Sequence, residues 1–356
     1  MIKKIIADYF KESEEIPAIL QPSYLPSLDG LRGISIIIVL IAHFNAHYYN
    51  KVFVELVGAG IVGVYIFFVI SGFLITTLLL KERILKRSIN LKRFYARRFL
   101  RTFPLAYLYI FIILFLSFFL KEKIKADSYL IAGLYLVNFA HFFRLPYYFI
   151  HYWSLSAEEQ FYIISPTVLK FNLGFYKIFI FIMLGLSFLA RFYINRSPAG
   201  ISSRLLFDLT RNLDGLLIGS LFSLLLFAGL VPLKFIKKYK VSITAIAFIG
   251  ILVLNREAPV YYLRFFFNHT FYSILIGIII IANISPSSDV FYRILNHPFL
   301  KKIGVISYSI YIWQQLFTSY VFTHSLIINL ILIIVISLFS YYFYERYFLN
   351  LKNRFK

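Results

Sequence analysis

Arg32 and His43 stand eleven residues apart, and between them every residue except Gly33 and Ser35 is apolar. The surrounding stretch, Leu28 to Tyr48, reads LDGLRGISIIIVLIAHFNAHY. Ionisable side chains inside an apolar span are costly and are functional candidates by default. Eleven steps of about 100° return both side chains to one helical face. A rise of about 1.5 Å per residue separates them by roughly 16 Å along the axis. They cannot touch. A pair on one face at two depths suits a site that works across part of a bilayer. An imidazole held at that depth is a candidate general base.

A second set is basic. FYARRFLRTFP carries Arg97, Arg98 and Arg101 ahead of Pro104. If helical, the three guanidinium groups crowd one face and repel unless an anion sits among them. Guanidinium forks match phosphates bidentately, so a cytosolic polyphosphate fits. Topology signalling or contact with anionic lipid is the competing reading. A third set is acidic. HYWSLSAEEQFYIISP brings Glu158, Glu159 and Gln160 into an apolar helix. Two adjacent carboxylates cannot both face lipid at low cost, so at least one faces inward. A carboxylate beside His43 would fix its tautomer and raise its basicity. Solvated interfacial carboxylates are the plainer alternative.

Weaker signals remain. Arg211 and Asp214 stand at i,i+3 in RNLDGLLIG as a candidate ion pair. Gly60, Gly63 and Gly72 read as helix-packing positions, and Ser71 as a packing hydroxyl. His43 and His47 lack the acidic residue of a zinc helix, so no metal site is expected. His141, His151, His269 and His324 read as loop or interface residues.

The elements that must position these groups are transmembrane. Of 356 residues 60% are hydrophobic, with mean hydropathy +0.77, which excludes an ordinary soluble domain. The 28 tyrosines gather near segment ends, where amphipathic rings favour the interface. There is no cysteine, so neither disulfides nor thiol chemistry are available. A formal charge of +21 could suggest nucleic acid, but the basic residues sit in loops between apolar spans, so no nucleic-acid partner is expected. Spans are placed at 31–50, 58–80, 103–120, 153–170, 175–194, 210–230, 241–255, 268–284, 303–322 and 326–345. Segment 128–140 is short for a span. If it does not cross, the most basic loops and the C-terminal tail all share the side of the N-terminus, as the positive-inside rule requires. The expectation is an all-α polytopic membrane protein of about ten transmembrane helices with both termini cytosolic. Residues 1–27 form a cytosolic N-terminal arm, with no cleavable signal peptide. Residues 28–356 form one membrane domain with no appended soluble domain. Arg32 then lies at the inner mouth of the first span and His43 in its outer half.

Taken together, the stretches SLDGLRGISIIIVLIAHF, GVYIFFVISGFLI, YARRFLRTFP, HYWSLSAEEQFY, RNLDGLLIG, ISYSIYIWQQ and YERYF resemble the acyltransferase 3 family of membrane acyltransferases, in order and over nearly the whole chain. The resemblance implies transfer of an acyl group, commonly acetyl, from cytosolic acyl-CoA to a hydroxyl of an exported glycan or lipid-linked saccharide. It implies a bacterial cytoplasmic membrane location. Arg32 and His43 match the family's arginine and histidine. Arg97, Arg98, Arg101 and Pro104 match its arginine-rich pattern, and Glu158 matches its glutamate, Glu159 being the second choice. Tyr65 and Gln314 depart from residues common in the family, at positions outside the core His–Arg–Glu set. The expected mechanism has acetyl-CoA phosphates on Arg97, Arg98 and Arg101, with Arg32 assisting. His43 acts as base or acyl relay, and Glu158 orients the imidazole. The rival is a transporter or flippase of a lipid-linked or glycan substrate without chemistry. Internal repeats would mark it, and none is legible.

Overall fold

The computed structural model describes all residues except 1, 49–59, 120, 122, 143–144, 197–212, 256–260, 320–321 and 356. Every regular element among the described residues is helical. In chain order the principal helices are α1 (Ile2–Phe10), α2 (Pro26–Tyr48), α3 (Ile61–Lys86), α4 (Leu91–Phe119), α5 (Ala126–Gly133), α6 (Tyr152–Phe171) and α7 (Leu173–Arg196). They continue with α8 (Leu213–Phe227), α9 (Lys240–Asn255), α10 (Tyr261–Asn283), α11 (Pro298–Val305), α12 (Ser307–Phe317) and α13 (Leu326–Ser340). A single π turn, Tyr341–Glu345, follows α13.

Among the described residues five helices are long and apolar enough to cross a membrane: α2, α3, α4, α7 and the helix that starts with α13. Helices α8, α9 and α10 are apolar but supply shorter described stretches. Two expectations change. The span expected at 303–322 is two helices, because the chain leaves helical geometry at Ile306. The arginines expected in a loop before residue 103 are already helical, since α4 begins at Leu91. Segment 128–140 forms only the eight-residue α5 and part of a 3-10 stretch, Val137–Phe142. Eight residues rise about 12 Å, well short of the roughly 30 Å hydrocarbon core.

The chain divides into two compact units, residues 1–89 with 161–305 and residues 90–160 with 306–356. In the first, helices touch backbone to backbone through glycine. A Cβ on Gly72 of α3 would stand 1.9 Å from the Leu216 carbonyl oxygen of α8, and one on Gly219 would stand 2.1 Å from that of Val69. Helices α2 and α11 meet the same way, with Gly304 against the Asp29 carbonyl and Gly33 against that of Leu300. Small residues are how membrane helices gain van der Waals contact when lipid is as apolar as leucine. Outside the spans, Asp289 caps a short helix at Tyr292 and pairs with Lys240 at 2.8 Å. Burial pushes its carboxyl up, but the bonds from Lys240, Ser287 and Tyr292 outweigh this and hold it down at about 2.

In the second unit α4 is the spine. Pro104 removes one hydrogen bond from its ladder, and the neighbouring carbonyls are taken up by phenols. Tyr308 donates to Thr102 at 2.5 Å, Tyr152 to Ala106 at 2.7 Å and Tyr344 to Pro104 at 3.3 Å.

Candidate active site

The first unit holds Arg32 and His43. Both lie on α2, and the pressure of Gly304 on the Asp29 carbonyl fixes the start of that helix. Arg32 is not alone at the mouth. Its Nη1 donates to Asp29 Oδ1 at 2.8 Å, one helical turn back, and Tyr24 donates to Asp29 Oδ2 at 2.8 Å. Burial and this bond to Asp29 push the Tyr24 phenol up to about 12, so it remains a donor at any physiological pH. Further along α2, His43 Nδ1 lies 2.9 Å from the Val39 carbonyl oxygen. A carbonyl only accepts, so Nδ1 carries the proton and Nε2 is the basic nitrogen.

The same unit contains a buried ionic cluster. Asp214, fully buried at the start of α8, accepts from Arg191 Nη2 at 2.8 Å and from the hydroxyls of Ser187 and Thr270. Arg191 is 1% exposed. The partner expected from spacing, Arg211, lies outside the described residues.

The second unit holds the arginines and glutamates. Arg97 donates to the Phe355 carbonyl at 2.8 Å. Arg98 supplies the opposing charge to Glu159, and Arg101 to Glu345. Glu159 is buried and accepts from Thr102 Oγ1 at 3.0 Å, whereas Glu158 is half-buried. Glu345 is buried in the π turn and accepts from Ser309. Single π turns recur at functional sites. Gln160 and Asn138 exchange amide hydrogen bonds at 2.9 and 3.0 Å, which ties α6 to the segment after α5.

A family model described as an acyltransferase domain, Acyl_transf_3, matches residues 25–345. The chain belongs to the acyltransferase 3 family. Two relatives are O-acetyltransferase OatA of Staphylococcus aureus strain NCTC 8325, 30% identical over 331 residues, and putative O-acetyltransferase SACOL0978 of strain COL, 32% identical over 327. Each alignment covers 85% of this chain and 52% of the relative, so the chain spans about half the length of the curated relatives it matches. No solved structure matches the chain.

Within this acyltransferase 3 chain the fold brings further residues to these groups. Asp29 and Tyr24 hold Arg32, and Thr102, Tyr308, Ser309 and Glu345 surround the arginine helix. Asp29 had a visible signal, an acidic residue one turn before an intramembrane arginine. The others are paired only by folding. His151 lies in the turn just before α6, as expected of a loop residue, but it is 2% exposed, among the rings of Tyr109, Tyr152 and Tyr311. His269, half-buried on α10, stacks against Tyr65 with centroids 5.1 Å apart. The side chains of His47 and His141 lie outside the described residues.

Proposed function

We propose that the protein O-acetylates a hydroxyl of a glycan or lipid-linked saccharide, using acetyl-CoA as donor. The observation that carries this reading is the His43 imidazole, whose Nδ1–H is committed to the Val39 carbonyl so that Nε2 is the base. Family membership and the O-acetyltransferase names of the relatives support the reaction class. In the reaction the acceptor hydroxyl gives its proton to His43 Nε2 as its oxygen attacks the thioester carbonyl. The carbon–sulfur bond breaks, and the proton passes to the departing thiolate to give CoA. In the relay variant His43 Nε2 attacks the thioester and displaces the CoA thiolate, and the acceptor oxygen then takes the acetyl group from the acyl-imidazolium, its proton passing to the thiolate.

Arg97, Arg98 and Arg101 hold the donor phosphates, and Arg32, steadied by Asp29, assists. Of the two glutamates, Glu158 is the half-buried one and keeps the role of orienting or charge-stabilising residue. The buried Glu159 balances Arg98. The protein is a multi-pass component of a bacterial cytoplasmic membrane, with ten spans, both termini cytosolic, residues 1–27 as its cytosolic arm and residues 28–356 as its catalytic membrane domain. The five long apolar helices support membrane residence.

The test is acetyl-CoA-dependent thiol release, with acceptor mass followed in parallel, in membranes carrying equal amounts of wild type and His43→Ala. A positioned base contributes about 10²–10⁴-fold, so the variant is expected to lose that much. Full activity in His43→Ala overturns the assignment.

A further inference from the structure

The first unit contains a cavity of about 210 Å³ that no step of acyl transfer uses. Its floor is apolar, with Leu80, Leu224 and Phe227 all buried. Its rim is cationic, carrying Arg83 and Arg87 from the end of α3 and Lys177 from the start of α7. The N-terminal arm closes one side and contributes Lys11 and the carboxylates of Glu12 and Glu14, so four cationic side chains face two acidic ones.

The rim is built, but one of its contacts is weak. Lys177 is 3% exposed, and its Nζ donates to the carbonyls of Tyr9 and Lys11 at 2.6 and 3.0 Å. The arm is therefore anchored by its backbone on a buried ammonium. Arg83, by contrast, meets Glu12 Oε1 at 2.6 Å, and the Glu12 side chain is 61% exposed. A pair with so exposed a carboxylate is weak, because solvent screens it and the side chains lose freedom in making it. A phosphate matches a guanidinium bidentately and brings more charge-assisted bonds. Glu12 is thus a carboxylate seated where a stronger anion would bind.

The source of that anion follows from what adjoins the cavity. Tyr9 of α1 packs on Phe181 of α7, a helix long and apolar enough to cross a membrane. On α1, Ile5, Ile6 and Phe10 are exposed together with Lys3 and Lys4. Exposed apolar residues mixed with lysines on a helix at the end of a span are the composition of an interfacial helix. Phe171 and Phe175, beside the start of α7, are exposed as well. A soluble phosphate would have no use for the apolar floor, whereas a phospholipid places a phosphate beside methylenes.

We propose that this cavity binds an anionic phospholipid, its phosphate on Arg83 and Arg87 beside Lys177 and the first part of an acyl chain over Leu80, Leu224 and Phe227. Glu12 competes with the headgroup for Arg83 and so tunes its affinity.

The experiment uses the full chain in neutral detergent, with lipid binding read by native mass spectrometry and by the shift in Tm. The probes are phosphatidylglycerol, phosphatidylcholine and inorganic phosphate. Phosphatidylglycerol is expected to bind and raise Tm, phosphatidylcholine to do so much less. The double variant Arg83→Ala/Arg87→Ala is expected to lose at least fivefold in phosphatidylglycerol affinity, while Lys301→Ala/Lys302→Ala, on α11, keeps wild-type affinity. Glu12→Gln is expected to bind the lipid severalfold more tightly, a gain that a merely structural ion pair would not give. Wild-type affinity in the double variant, or weaker binding in Glu12→Gln, overturns the proposal. Stabilisation by inorganic phosphate with none by phosphatidylglycerol overturns the lipid source and assigns the cavity to a soluble phosphate.

Discussion

Glu158 and Glu159 differ by one step on α6, and one step is about 100° of rotation. The sequence shows two equivalent carboxylates entering an apolar helix. Which one faces inward depends on how that helix is turned, and the turn is set by Thr102, fifty-seven residues earlier in the chain. No local pattern encodes that. Residue types alone leave two arrangements, one carboxylate turned inward or both solvated at the interface, and do not choose between Glu158 and Glu159. The burial of Glu159 against Thr102 and the charge of Arg98 has a consequence for stability. Removing the carboxylate leaves the Thr102 hydroxyl with the Arg98 carbonyl at 3.2 Å and takes the opposing charge from Arg98, and a hydrogen bond to a charged group is worth about 1.5–3 kcal/mol. Glu159→Ala is therefore expected to lower thermal stability by about that much in detergent, and Glu158→Ala by a few tenths. Thermal unfolding of the two variants side by side decides it, and equal losses would contradict the burial. Arg32 and His43 were legible for the opposite reason. Their cost inside an apolar run is visible without knowing any partner.

Helix packing was half legible. Gly60, Gly63 and Gly72 read as close-approach positions from composition, and all three are: a Cβ on Gly60 would stand 2.8 Å from the Ala42 side chain and one on Gly63 2.7 Å from the Ser35 carbonyl oxygen. The facing glycines were not assigned, because a small residue announces a close neighbour without naming it. Gly72 faces α8, where Gly215 and Gly219 complete the contact. The obstruction at Gly72 is backbone, which cannot swing aside as a side chain can. Overpacking of this kind costs about 1–3 kcal/mol. Gly72→Ala is expected to lower Tm in detergent by several degrees. Gly185→Ala on α7, where nothing stands within 4 Å of the added methyl, is expected to be neutral or slightly stabilising because alanine is the better helix former. A neutral Gly72→Ala would mean that α3 and α8 separate more easily than their geometry states. The break at Ile306 escaped the sequence reading for a related reason. KKIGVISYSIYIWQQ carries no charge and no proline after its lysines, and hydropathy does not register the local geometry that ends one helix and starts the next.

The whole molecule carries large apolar side chains on its outside. Phe111 and Phe118 on α4, Phe181 on α7 and Ile331 and Phe339 on α13 are all more than half exposed, whereas most of α3 is buried. A soluble protein rarely exposes apolar surface on this scale, so these faces require hydrocarbon. How many helices cross is a separate question from which faces meet lipid. Charge answers it better than length does, because several apolar helices are short while the basic loops are unambiguous. VPLKFIKKYK and NLKNRFK share the side of the N-terminus only if segment 128–140 does not cross, and α5 has eight residues with which to try. The absence of native cysteine makes this directly measurable, because any single introduced cysteine is the only thiol present. Lys125→Cys, Lys238→Cys and Asn353→Cys each place a thiol at an exposed position. A membrane-impermeant maleimide applied to intact cells is expected to label Lys125→Cys alone, and the other two only after permeabilisation. Labelling of Lys238→Cys and Asn353→Cys from outside would mean that the 128–140 segment crosses the bilayer. It would carry the most basic loops to the outer face and invert the side from which every helix after α5 is approached.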